Sequence, residues 1–340
     1  MIRHDFRSDT VTRPSAGMLA AMTSAELGDD VFGDDPTVKR LEAVLAELVG
    51  KEAGLFVTSG TQSNLLALMS HCERGDEYIA GQGAHCYRWE AGGAAVLGSI
   101  QPQPVVNQPD GSLALADIAA AIKTDDPHFA RTRLLALENT FGGKVLPLDY
   151  MKAATDLARQ HGLNTHLDGA RGFNAAVKLG VSIADVAAGF DTVSICLSKG
   201  LGAPVGSVLV GNADLVGKAR RLRKMVGGGM RQSGILAAAG LYALDHNVAR
   251  LAEDHANAAR LAEGLARYPG LTITPPQTNI LWVGLAEDLV VPLNAHLKEA
   301  GIGITSAYGG AQQRWVTHLD ATGAAVDAAL DAVDGFFTQR

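Results

Sequence analysis

Short apolar runs alternate with longer amphipathic stretches along most of this chain. Asp35-Pro36 opens the clearest helix, because a capping aspartate is followed by proline at a position whose N–H would be unpaired anyway. Val38, Leu41, Leu45 and Leu48 then recur at helical spacing, and Gly50 closes the element. Leu55-Phe56-Val57 reads as a strand ending at Thr58-Ser59-Gly60-Thr61, before a helix carrying Leu65, Leu66, Leu68 and Met69. Further strands are expected at Glu77–Ala80, Ala94–Leu97, Leu134–Glu138, Asn164–Leu167, Thr192–Cys196 and Ser207–Val210. Helical patterns at Asp149–His161 and Ala213–Met225 lie between or after them. This alternation predicts an α/β unit with a mostly parallel sheet covered on both faces.

From Asn247 the texture changes. An alanine-rich amphipathic helix is expected to run toward Arg267, where Pro269-Gly270 breaks it. Strands at Leu271–Thr274, Asn279–Val283 and Trp315–His318, a helix near Leu289–Ala300 and a last helix at Ala324–Phe337 suggest a smaller α+β unit. The division is therefore 15–246 for a large domain and 247–340 for a C-terminal one, with the long helix as hinge.

Composition narrows the function classes. The formal charge of −7 lacks the basic stripe that nucleic acid requires. No apolar run approaches the ~20 residues of a membrane span, and the charged first residues are not those of a secretory leader. Three cysteines without C-x-x-C spacing argue against a disulfide framework or a structural zinc site, so no metal and a reduced cytoplasm are expected. Glycine is high at 39 residues without any repeat, so each glycine needs its own local reason.

Three segments carry candidate chemistry. In Ser194-Ile195-Cys196-Leu197-Ser198-Lys199-Gly200-Leu201-Gly202, a strand delivers one lysine into a loop of small residues. Partial burial there favours the neutral amine that attacks an aldehyde, although the segment also reads as a turn with an incidental lysine. Glycines at 200 and 202 would let a flat ligand or another backbone come close. In His166-Leu167-Asp168-Gly169-Ala170-Arg171, an aspartate ends a strand where open α/β sheets bind ligands, or else caps the next segment. Together the two match the needs of pyridoxal phosphate: a lysine for the Schiff base and a carboxylate for the pyridine nitrogen. Ser59, Gly60 and Thr61, between strand and helix, would offer a helix N-terminus to the phosphate. His85 suits a ring-stacking position, and both it and His128 read equally well as loop residues.

At this point the residues resemble a known family. Phe6–Thr12, Gly28–Thr37, Thr58–Asn64, His166–Arg171, Leu197–Gly202, Gly227–Gly234 and Arg314–Asp320 are similar, in order and across the chain, to the low-specificity L-threonine aldolases. The resemblance implies the pyridoxal-phosphate-dependent transferase-like fold (fold type I) and cleavage of L-threonine or L-allo-threonine to glycine and acetaldehyde. By that resemblance Lys199 is the Schiff-base lysine, Asp168 pairs with the pyridine nitrogen, and Ser59, Gly60 and Thr61 hold the phosphate. His85 stacks on the ring, and His128 lies near the substrate hydroxyl. Ser8, Arg171 and Arg314 hold the substrate carboxylate, so residues 1–14 contribute to the site, with Arg171 also beside the cofactor. Arg231 reaches the phosphate of a neighbouring subunit, which implies a homodimeric unit and, by family habit, a homotetramer. His85, His128 and an ordered water are the candidate bases. Two departures stand out: Phe141-Gly142 where the family often has His-Asn, and Phe32 where tyrosine is common. The rivals are another enzyme of the same cofactor fold, such as a β-eliminating lyase or an aminotransferase, and a silent cofactor-binding protein.

Overall fold

The computed structural model describes residues 1–307 and 310–339, so residues 308, 309 and 340 of the expected C-terminal unit lie outside the described residues. Seven strands form the central sheet, in the spatial order Ala53–Val57, Ser207–Gly211, Thr192–Cys196, Asn164–Asp168, Arg131–Glu138, Asp76–Gly81 and Gln101–Val105. Only Ser207–Gly211 runs against its neighbours; the other pairings are parallel. That reversal has a local consequence. The chain leaves Thr192–Cys196 at its carboxyl end and must turn back at once, so residues 197–206 form a connection held at the sheet's ligand-binding rim.

The apolar strands are buried on both faces, as helix-covered parallel sheets require. The Pro36–Val49 helix is capped as expected: Asp35 accepts from the Thr37 and Val38 N–H groups, and Gly50 takes a left-handed conformation. Its buried face differs at one position, because Leu48 is exposed while Ala46 and Val49 pack inward. Ala94–Leu97 is not a strand; it lies within the helical turn Gly93–Gly98, with Val96 and Leu97 exposed. A four-residue apolar run carries too little periodicity to separate the two states. The strand at that edge is instead Gln101–Val105, which tolerates Pro102 and Pro104 because it pairs on one side only.

The expected long helix from 247 is split. One helix ends at His246 and the next spans Leu251–Leu265. Leu251 belongs to the large core, whereas Leu261 and Leu265 belong to a second core with Leu281, Trp315 and Phe336. This helix therefore crosses from one core to the other. The second core sits between a four-stranded antiparallel sheet (Thr305–Ala307, Gln312–Val316, Ile280–Leu285, Leu271–Thr274) and the helices Glu287–Glu299 and Gly323–Thr338. The strand expected at Trp315–His318 lies earlier, at Gln312–Val316.

The N-terminal segment binds both units. His4–Asp5 pairs in parallel with Ile302–Gly303, and Phe6 is fully buried beside Trp315 in the smaller core. Six residues on, the chain has crossed to the larger unit, where the Thr12 hydroxyl donates to the Lys199 carbonyl at 3.1 Å. Among the described residues no helix is long and apolar enough to cross a membrane.

Candidate active site

Two adjoining cavities open at the carboxyl ends of the central strands. The smaller, about 180 Å³, is lined by Ser59, Gly60, Thr61, Asn64, His85, Asp168, Cys196 and Lys199 among others. The larger, about 700 Å³, shares His85 and adds Glu138, Phe141, Arg171, Trp282 and Arg314.

The smaller cavity follows from local sequence. Ser59 caps the helix Gly60–His71 by accepting from the Gln62 N–H at 3.1 Å, so the first-turn N–H groups remain for an anion. Gly60 is required there, since a Cβ would fall 2.6 Å from the Cys196 sulfur. Lys199 is half-buried, and its carbonyl also accepts from the Gly202 N–H at 2.8 Å, which fixes the turn. The neighbouring glycines serve the fold rather than a flat ligand. Gly200 faces Leu251, and Gly202, at φ +79°, faces Leu319 and Asn247.

Asp168 is buried, accepting from the Ala170 N–H at 3.1 Å and from Asn64 Nδ2 at 2.8 Å. The same Asn64 nitrogen donates to Glu90 Oε1 at 2.8 Å, and Glu90 Oε1 also meets His85 Nδ1 at 2.8 Å. The bond to Glu90 raises the His85 imidazole above its ordinary value. Burial raises Glu90. Glu138 ends the strand Arg131–Glu138 and accepts from the His85 N–H at 2.8 Å. Burial and then the nearby Asp168 push its carboxyl up to about 7. Asn64 closes a motif that drew attention for Ser59–Thr61, while Glu90 and Glu138 stood out by no motif. The signal was only a carboxylate at a strand end and another shortly after His85.

The larger cavity is assembled from both units. Arg171 donates from Nε and Nη2 to Asp9 at 2.8 and 2.6 Å, leaving the opposite edge of the guanidinium for a second carboxylate. Burial would raise Asp9, but Arg171 and then Lys199 outweigh it and hold the carboxyl well below its usual range. Arg314 comes from the small sheet and donates to the Arg7 carbonyl at 3.3 Å. Trp282 donates to the Gly142 carbonyl at 2.9 Å and, with Phe141, walls the cavity with aromatic surface.

Three expected site residues are placed elsewhere. Ser8 caps a short turn, accepting from the Thr10 N–H and hydroxyl at 3.2 and 2.9 Å, and is not among the described residues lining either cavity. His128 stands on an exposed turn, its side chain 84% accessible and bonded to Asp126 at 2.6 Å. Arg231 is 56% exposed and paired with Asp29 at 3.1 Å, outside both cavities of its own chain.

With this geometry in place, the chain can be set beside known proteins. A family model described as beta-eliminating lyase matches residues 5–288. The low specificity L-threonine aldolase of Escherichia coli K12 is 57% identical over 316 residues, covering 93% of this chain and 94% of that one. The probable low-specificity L-threonine aldolase 2 of Arabidopsis thaliana is 50% identical, covering 84% and 82%. The chain belongs to the low-specificity L-threonine aldolases, within the beta-eliminating lyase family. Among solved structures, the Leishmania major threonine aldolase matches this family member with a TM-score of 0.83 over 99% of each chain at 23% identity. The serine palmitoyltransferase of Sphingomonas wittichii matches at 0.76, over 99% of this chain and 86% of that one. The two likenesses speak to fold alone, and the aldolase fold here is that of fold type I enzymes.

Proposed function

We propose that this aldolase cleaves L-threonine, L-allo-threonine and related L-β-hydroxy-α-amino acids to glycine and an aldehyde, with pyridoxal phosphate bound in the smaller cavity. The observation that carries this reading is that the Lys199 amine, the Asp168 carboxylate and a glycine-opened helix N-terminus all border one cavity. The donor set fits the cofactor: an amine for its aldehyde, a carboxylate for its ring nitrogen and N–H groups of Gly60 and Thr61 for its phosphate. When bound, pyridoxal phosphate supplies an electron sink for the pair left by the breaking Cα–Cβ bond.

The protein's own groups do the rest. Lys199 would hold the cofactor through its amine, Asp168 would pair with the ring nitrogen, and His85, whose Nδ1 is held by Glu90 at 2.8 Å, would lie beside the ring. The free edge of Arg171 and the Arg314 guanidinium would clamp the substrate carboxylate and so set which Cα bond is oriented to break. Ser8, one residue before Asp9, shapes this corner through its turn. His85 and Glu138 both line the larger cavity, so either would be available to accept the proton of the β-hydroxyl. His128 joins them only by a movement of its turn or from a neighbouring subunit. Arg231, exposed beside Asp29, fits a reach toward the phosphate of a neighbouring subunit. We therefore infer a homodimeric unit, assembled as a homotetramer, working in the cytoplasm. The division into 15–246 and 247–340, joined by residues 1–14, is proposed on the two cores.

Incubating the purified protein with L-threonine tests the reading. Acetaldehyde with glycine is expected; pyruvate with ammonia, or a keto acid without cleavage, would move the assignment to a lyase or aminotransferase.

A further inference from the structure

A row of buried polar side chains that the proposed chemistry does not use runs inward from the wall of the smaller cavity. Asn64 and His71 sit seven residues apart, two turns along one helix, and so share the face that packs on the sheet. His166 and Thr192 are partners on neighbouring strands. The four side chains form a continuous chain. Asn64 Oδ1 meets His166 Nε2 at 3.2 Å, His166 Nδ1 meets Thr192 Oγ1 at 2.9 Å, and Thr192 Oγ1 meets His71 Nε2 at 2.8 Å.

Hydrogen-bond chemistry gives this chain one direction. Carboxylates only accept, so the Asn64 nitrogen must face Asp168 and Glu90, which spends both of its hydrogens. Its oxygen then needs a donor, so His166 carries its proton on Nε2. Burial lowers His166 to about 4 and His71 to about 3, so both rings are neutral near pH 7. His166 Nδ1 is therefore an acceptor and takes the Thr192 hydroxyl hydrogen. Thr192 Oγ1 in turn accepts from His71 Nε2. The row ends at His71 Nδ1, a buried nitrogen with no hydrogen-bond partner among the described residues. Burying two neutral histidines and an unpartnered nitrogen is costly, and ordinary apolar packing would have filled the same space.

We propose that Asn64 is a positioning residue, oriented by His166, Thr192 and His71 behind it, that fixes Asp168 and the Glu90–His85 pair as one unit. The amide separates two carboxylates whose oxygens lie within 4.8 Å of each other and of the His85 ring. Around His85 stand Glu90, Asp168, Glu138 and Lys199. Without the amide, Glu90, already raised by burial, takes up a proton to relieve the repulsion, and His85 loses its anionic partner. The inference rests on the functional reading for its effect on catalysis, but not for its effect on His85.

The test uses Asn64→Ala together with His166→Leu and His166→Gln, since glutamine can place an N–H near the lost Nε2 and leucine cannot. In Asn64→Ala the histidine Cε1–H titration of His85, identified by its loss in His85→Gln, should move down by about one pH unit. With threonine, kcat should fall by about 10- to 100-fold, the range typical of groups that orient reactive residues, while KM changes less. His166→Leu should repeat both changes and His166→Gln should restore them. An unmoved His85 midpoint in a folded Asn64→Ala protein would overturn the proposal. If that variant does not fold, the His166 pair decides, and glutamine no better than leucine would overturn it equally. Failure of the unaltered protein to cleave threonine would sink the functional reading alone, because the His85 titration still decides the positioning role.

Discussion

The two cavities share His85 yet are built differently. The smaller draws its walls from strand ends and one helix N-terminus of the large unit, and Asn64 ties its carboxylates together. The larger needs the N-terminal segment, the large unit and the small sheet together: Asp9 on Arg171, Arg314 beside Arg7, and Trp282 on Gly142. The inner cavity is thus fixed by the fold of one core, whereas the outer changes shape with any shift between the two cores. That separation suits the proposed division of labour, a cofactor in the inner cavity and substrates of varied size in the outer one. The 700 Å³ of the outer cavity greatly exceeds the volume of a threonine side chain.

Breaking the inner cavity should cost most. Asp168→Asn keeps the shape and removes the charge proposed to pair with the ring nitrogen, and kcat should fall by about 10²–10³-fold with a small change in KM. A loss confined to KM would place Asp168 outside the electronic role. Next comes the outer cavity's buried pair. Asp9→Asn strands Arg171 without its anion, and unfolding free energy should drop by about 3–5 kcal/mol in denaturant titration. A drop below about 1 kcal/mol would mean that Arg171 finds another partner.

Glu138 lines the larger cavity, bonded to the backbone N–H of His85, and gives a subtler, pH-dependent effect. Its folded value of about 7 lies above the unfolded one, so the native state holds the proton more tightly. Stability from this group is complete below the unfolded value near 4.3 and is lost as pH rises through 7. Glu138→Gln should therefore leave the melting temperature of the cofactor-free protein nearly unchanged at pH 4.5 and raise it by about 3–6 °C at pH 8. Equal effects at both pH values would contradict the burial account. The smallest change is expected at His128, which is 84% accessible and bonded to Asp126. His128→Ala should alter kcat/KM by less than about threefold, and a larger loss would assign its turn to the outer cavity of the working assembly.

The same contrast governs what was legible in the sequence. Inner-cavity residues sit at strand ends inside compact motifs, so Asp168, Lys199 and Ser59–Thr61 stand out as candidates in the local pattern, each beside an equally local structural reading. The outer cavity joins Asp9 to Arg171 and Arg7 to Arg314 across gaps of 162 and 307 residues, which no local pattern spans. Resemblance pointed to the arginines, but not to Asp9 holding one edge of Arg171. Glu90 and Glu138 were missed because an isolated carboxylate is normally solvated, and only burial gives it significance. Errors in the elements were equally local: a short exposed helix at Gly93–Gly98 mimics a strand, and two prolines disguised the edge strand Gln101–Val105.

Lys199 and Asp168 are proposed to make the smaller cavity a covalent cofactor site for threonine cleavage. The most direct test compares acetaldehyde release from L-threonine by the unaltered protein and by Lys199→Ala, each supplied with pyridoxal phosphate. Release is expected from the first and a loss of at least about 10³-fold in the second, together with disappearance of the protein-linked visible absorbance band. Cleavage by Lys199→Ala at the unaltered rate, with cofactor present, would contradict this assignment.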